Sequence, residues 1–168
     1  MTEAAVRKGR VLIACVGNIF LGDDGFGCEV ARRLAGQPLP EGVRLVDYGT
    51  GGMHLAYDLA DGYETTILVD AAPRGGEPGT ITVVEVDPEE HKNPAESAGV
   101  LAGSMLFDAH GMQPDVVFGI IDMLGAKAGR ILVVGCEPAS VEYSMELSEP
   151  VAAAVDEAAK IVLDMVKG

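Results

Sequence analysis

The chain has 168 residues, 48% of them apolar, and a formal net charge of −14. That length and apolar content suit a single folded domain with a full-sized core. The acidity argues against nucleic acid and anionic membrane surfaces as partners, because binding phosphate needs clustered Lys and Arg.

No internal repeat, low-complexity tract or charged linker divides the sequence, so residues 1–168 read as one α/β domain, with 1–9 as a flexible N-terminal extension. Basic residues before an apolar run near the N-terminus mimic a signal peptide. The run is broken by Gly17 and Asn18, ends in acid, and lacks a small-x-small cleavage pattern in the right place. No stretch approaches the roughly 18 apolar residues of a membrane span. The three cysteines, Cys15, Cys28 and Cys136, form no CxxC pair, and an odd count is no disulfide framework. These features predict a cytoplasmic protein.

Arg10–Gly17 reads as a buried strand, a short apolar run closed by glycine. Gly25–Leu34 reads as a helix, with Phe26, Val30 and Leu34 at spacing four. Val43–Tyr48 predicts the second strand, and a short helix follows around Met53–Leu59. Thr65–Asp70 is the third strand, its near-continuous apolar character implying burial on both faces. Thr80–Val86 is the fourth. Its link to the third is too short for a parallel crossover, so it is expected to be antiparallel and at the sheet edge. Asp87–Ala109 reads as irregular with a helical piece in Ala95–Phe107, and Pro114–Leu124 as a helix. Arg130–Gly135 is the fifth strand, and Ser148 is placed to cap a last helix, Glu149–Val166. The expected fold is a three-layer α/β sandwich with a mostly parallel five-stranded sheet and helices on both faces. Its site is then expected beyond the carboxyl ends of the strands.

The loop after the first strand, "GNIFLGDDGFG", has the glycine spacing of a phosphate-binding P-loop. Asp23 and Asp24 stand where that motif needs lysine and a hydroxyl. The loop therefore suits a cation or proton transfer; the plainer reading is that one aspartate caps the following helix. Asp70 ends a central strand, where it either starts a turn or meets Asp23 or Asp24. Of the three histidines, His91 lies in a polar loop and His54 early in a helix. His110 precedes a helix and is either a turn residue or a third member of the set. Two carboxylates and an imidazole make an open oxygen-oxygen-nitrogen set for a borderline divalent metal. Asp47, Tyr48, Gly49 and Thr50 end the second strand on the same edge, as a simple turn or as a rim gripping an extended peptide. A cysteine peptidase built on Cys136, His110 and Asp70 can also be written down.

Taken together, "GNIFLGDDGFG", "DYGTGGM", "ILVDA", "AHGM" and "VVGCEPASVEYSMELSEPV" resemble, in order, the hydrogenase maturation endopeptidase family. The match runs from about Val11 into the last helix. It departs in the N-terminal extension and in a less typical 87–109 segment.

The resemblance implies a protease that removes a C-terminal extension from the large-subunit precursor of a nickel–iron hydrogenase after nickel insertion. It implies Asp24, Asp70 and His110 as metal-contacting residues, with nickel supplied by the nickel-loaded precursor. Asp23, Asp47, Gly49, Thr50 and Gly51 are the candidate substrate loop. A non-catalytic nickel-binding chaperone and a small-molecule-binding α/β module are the rival readings.

Overall fold

A computed structural model describes residues 10–86 and 129–167. His91, His110, the extension over 1–9 and the helices expected over 95–107 and 114–124 lie outside the described residues. In chain order the elements are β1 (Val11–Val16), a 3-10 turn (Gly22–Gly25), α1 (Phe26–Leu34), β2 (Val43–Gly49), α2 (Gly52–Ala60), β3 (Thr65–Ala71), β4 (Ile81–Val86), β5 (Arg130–Cys136) and α3 (Glu149–Lys167).

The strands form one five-stranded sheet in the order β2-β1-β3-β5-β4. β1, β2, β3 and β5 run parallel, and β4 pairs antiparallel with β5 at the edge, as its short connection requires. Alternate side chains along each central strand supply two different cores. Val11, Ile13 and Cys15 of β1, Ile67 and Val69 of β3, and Leu132 and Val134 of β5 face one side. There they pack against Phe26, Val30 and Leu34 of α1 and Val151, Ala158, Val162 and Met165 of α3. Leu12, Ala14 and Val16, with Leu68, Ile131 and Val133, face the other side and meet Leu55 and Leu59 of α2. Burial on both faces explains why these strands are continuous apolar runs with no polar alternation. The chain is thus the expected three-layer sandwich.

α1 differs in its start. The sequence predicts helix from Gly25, but the chain first winds through the 3-10 turn, where the Asp24 N–H donates to the Leu21 carbonyl at 3.1 Å. Helix periodicity carries no signal for such a tight lead-in.

Candidate functional site

β1 leads to β2 on one side and β3 lies on its other side, so the strand order reverses at the β1–β3 boundary. A crevice opens there at the carboxyl edge of the sheet. Two glycines press the 3-10 turn and α1 down onto this edge. A Cβ on Gly27 would lie 2.2 Å from the Val16 carbonyl oxygen and 2.5 Å from that of Val69. Gly17 has φ +151, and a Cβ there would lie 2.0 Å from the Asp24 carbonyl oxygen. No other residue type allows either approach, and the result is that Asp23 and Asp24 are both buried.

The two neighbours point to different partners. Asp23 reaches the loop between β5 and α3. Its Oδ2 accepts from the N–H groups of Ala139 (2.7 Å) and Ser140 (3.0 Å) and from the Ser148 hydroxyl (2.8 Å), and its Oδ1 accepts from the Ser148 N–H at 2.6 Å. Burial pushes its carboxyl up, but the hydrogen bonds from Ser148, Ser140 and Ala139 outweigh it and hold the group below the ordinary carboxylate range. Asp23, a candidate for the substrate loop, has its carboxylate turned inward as a clasp between the two loops. Ser148 stands at the start of α3, its carbonyl accepting from the Ala152 N–H, but its hydroxyl serves Asp23. Nor does either aspartate cap α1: Gly25 occupies that position without a side-chain bond. Asp23 instead finds its donors across the fold, and Asp24 accepts from within its own loop.

Asp24 Oδ2 accepts the Asn18 N–H at 3.0 Å, which ties it back across its own loop. It lies near enough to Asp70 for its charge to act there. Asp70 is half-buried at the end of β3, its Oδ1 accepting the Ala71 N–H at 2.7 Å. Burial and then the Asp24 charge raise its carboxyl well above the ordinary value, and the Ala71 bond only partly offsets them. A carboxyl whose proton affinity is raised by a neighbouring carboxylate gains most from a cation or a shared proton between the two. Among the described residues no group of three or more His, Cys, Asp or Glu converges as a metal site.

The rim beside this pair comes from β2. Cys15 pairs with Asp47 and Val16 with Gly49, leaving Tyr48 as an extra residue in a bulge. Asp47 Oδ1 accepts the Gly49 N–H at 3.0 Å, and the Gly51 N–H donates to the Tyr48 carbonyl at 2.8 Å. A cleft of about 390 Å³ lies between this turn and the opening loop, lined by Asn18, Ile19, Phe20, Asp47, Gly49 and Thr50 among others. His54, on α2, is exposed.

The thiols are poor nucleophiles. Cys136 is fully buried, and burial with the Asp23 charge pushes it up to about 11. Cys28 is pushed up to about 12 by burial and by Asp47, then by Asp70 and Asp24. A thiolate is scarce at neutral pH in either place.

Glu137, immediately after β5, gives no sequence signal of its role. Its carboxylate accepts the Arg74 N–H at 2.7 Å and the Gly75 N–H at 3.0 Å, anchoring the loop that leaves Asp70. Like Asp23, it acts across a long sequence separation that periodicity and local motifs do not register.

Comparison with known proteins agrees with this architecture. The family model HycI, hydrogenase maturation protease, matches residues 28–165. A putative hydrogenase maturation protease of Methanocaldococcus jannaschii is 34% identical over 96% of this chain and 99% of its own length. Among solved structures, the hydrogenase maturating endopeptidase HybD of Escherichia coli superposes with a TM-score of 0.74 at 26% identity, covering 94% of this chain and 92% of that one. The hydrogenase 2 maturation peptidase of a Thaumarchaeota archaeon gives a TM-score of 0.67 at 34% identity, over 92% of this chain and 96% of that one.

Proposed function

The chain belongs to the hydrogenase maturation protease family, and from that premise we propose that it removes the C-terminal extension of a nickel–iron hydrogenase large-subunit precursor once nickel has been inserted. The observation that carries this reading is the Asp24–Asp70 pair, two mutually repelling carboxylates held at the crevice between β1 and β3. In this reading the nickel arrives with the substrate. Asp24 and Asp70, joined by His110, offer it oxygen and nitrogen donors, and precursor thiolates complete its coordination. The metal then supplies Lewis acidity or holds the scissile segment in place. Either carboxylate takes a proton from the attacking water, while Asp47, Gly49, Thr50 and Gly51 grip the extended tail. The reaction belongs in the cytoplasm. Among the described residues no helix is long and apolar enough to cross a membrane.

The test uses two tubes and mass spectrometry of the large subunit. Metal-stripped protein is mixed with nickel-loaded precursor in the first. Protein soaked in nickel and desalted is mixed with nickel-free precursor in the second. A shortened subunit is expected in the first tube only, and Asp70→Asn is expected to leave that precursor intact. Cleavage in both tubes would rule out nickel borrowed from the substrate, and cleavage in neither would overturn the assignment itself.

A further inference from the structure

Four large apolar side chains stand in solvent on one side of the crevice: Ile19 (44% exposed), Phe20 (52%), Tyr143 (91%) and Met145 (71%). They come from loops more than a hundred residues apart, yet they form one surface because the loop backbones are zipped together. The Ser144 N–H donates to the Phe20 carbonyl at 3.0 Å, and the Gly22 N–H donates to the Ser144 carbonyl at 2.8 Å. Just beneath, the Asp23 clasp fixes the same two loops. Beside the ridge lies a groove of about 570 Å³, lined by Ile19, Met145, Leu147 and Val155, with Glu29 and Glu146 among its acids.

Exposed apolar side chains gathered on joined loops with a polar border mark an interaction site. Its loops are pre-ordered by backbone bonds, so little loop freedom is lost when it is covered. Its charge selects the occupant. Arg32 bonds Glu29 at 3.1 Å and Arg33 bonds Asp156, whereas the Glu146 carboxylate has no cationic partner among the described residues. A second copy of this chain would bring another acidic border and another net charge of −14 against the first. A basic partner surface would neutralise it. The ridge is also continuous with the candidate site, since the loop that displays Phe20 carries Asp24 four positions later.

We propose that this ridge and groove are where the folded body of the precursor docks, through an apolar surface bordered by a Lys or Arg that faces Glu146. The inference rests on the reading of the chain as the processing protease, and it assigns recognition to a surface separate from the grip on the tail.

The experiment measures KM and kcat for precursor processing, together with affinity for intact precursor by biolayer interferometry. Tyr143→Ser/Met145→Ser alters only exposed side chains. It should raise KM and weaken binding by about tenfold or more, with kcat at saturating precursor within about twofold of wild type. Glu146→Lys should also raise KM, and the effect of the wild-type residue should fade with salt. Tyr57→Ser, an exposed aromatic on α2 away from the ridge, serves as the control and should change nothing. Unchanged KM and affinity in the double variant would overturn the proposal. So would a wild-type dimer in sedimentation velocity that the double variant dissociates. If wild-type protein fails to shorten the precursor, the protease reading falls, and the binding measurement still decides whether this surface holds the precursor.

Discussion

Asp23 and Asp70 are acids whose environments push them in opposite directions, and that difference is measurable. Asp23 lies below the ordinary value of 3.8, so it contributes stability above that pH, which is lost as pH falls through its lowered folded value. Asp70 lies well above 3.8, so the folded chain holds its proton longer than the unfolded chain. Stability present in acid is therefore lost as pH rises from 3.8 towards the raised value. Asn at position 70 keeps an oxygen for the Ala71 N–H and removes the charge. Asp70→Asn is expected to melt above wild type at pH 7, with the gap closing as the pH is lowered towards 4. Asp23→Asn turns an amide towards backbone donors and should lose about 1–3 kcal/mol at pH 7. Thermal melts of the metal-free proteins across this range check both. An Asp70→Asn variant less stable than wild type at neutral pH would contradict the repulsion assigned to the pair.

At the level of elements, the site depends on how closely the start of α1 approaches the sheet. Gly27→Ala would place a methyl group against the Val16 and Val69 carbonyl oxygens. The helix must then lift, at a cost of about 1–3 kcal/mol. The 3-10 turn rises with it and carries Asp24 away from Asp70, so processing should fall much further than stability does. Gly36, just after α1, has nothing within 4 Å of an added Cβ. Gly36→Ala should leave precursor cleavage and urea stability close to wild type. What the sequence made legible here follows from range. β1, β3 and β5 could be read because burial on both faces leaves continuous apolar runs, and β4 because nine residues cannot span a parallel crossover. The clasp on Asp23 could not, because its partners lie 116 to 125 positions away. The aspartate pair was recognisable as unusual, but a local pattern cannot say which member turns inward.

For the whole molecule, the sheet separates two cores that share few side-chain neighbours. Ile13 belongs to the α1–α3 side and Ile131 to the α2 side, on strands separated by β3. Ile13→Val and Ile131→Val should each cost about 0.5–1.5 kcal/mol, and the double variant should lose their sum within about 0.5 kcal/mol. Urea unfolding with an unchanged m-value is the check; strong coupling would mean that the sheet passes strain from one layer to the other. The alternation within β1 made both cores predictable from six residues, because a period of two assigns each side chain to a face. The rim bulge at Tyr48 could not be foreseen, since it exists only in the register between β1 and β2. The Asp23 clasp has a further consequence in time. Its acid leaves the ribosome 125 residues before Ser148 does, a delay of about 6–25 s at ordinary rates of translation. Throughout that interval the Asp23 carboxylate lacks the full set of donors from Ala139, Ser140 and Ser148. The join between the opening loop and the loop after β5 is thus completed only once the start of α3 has been made.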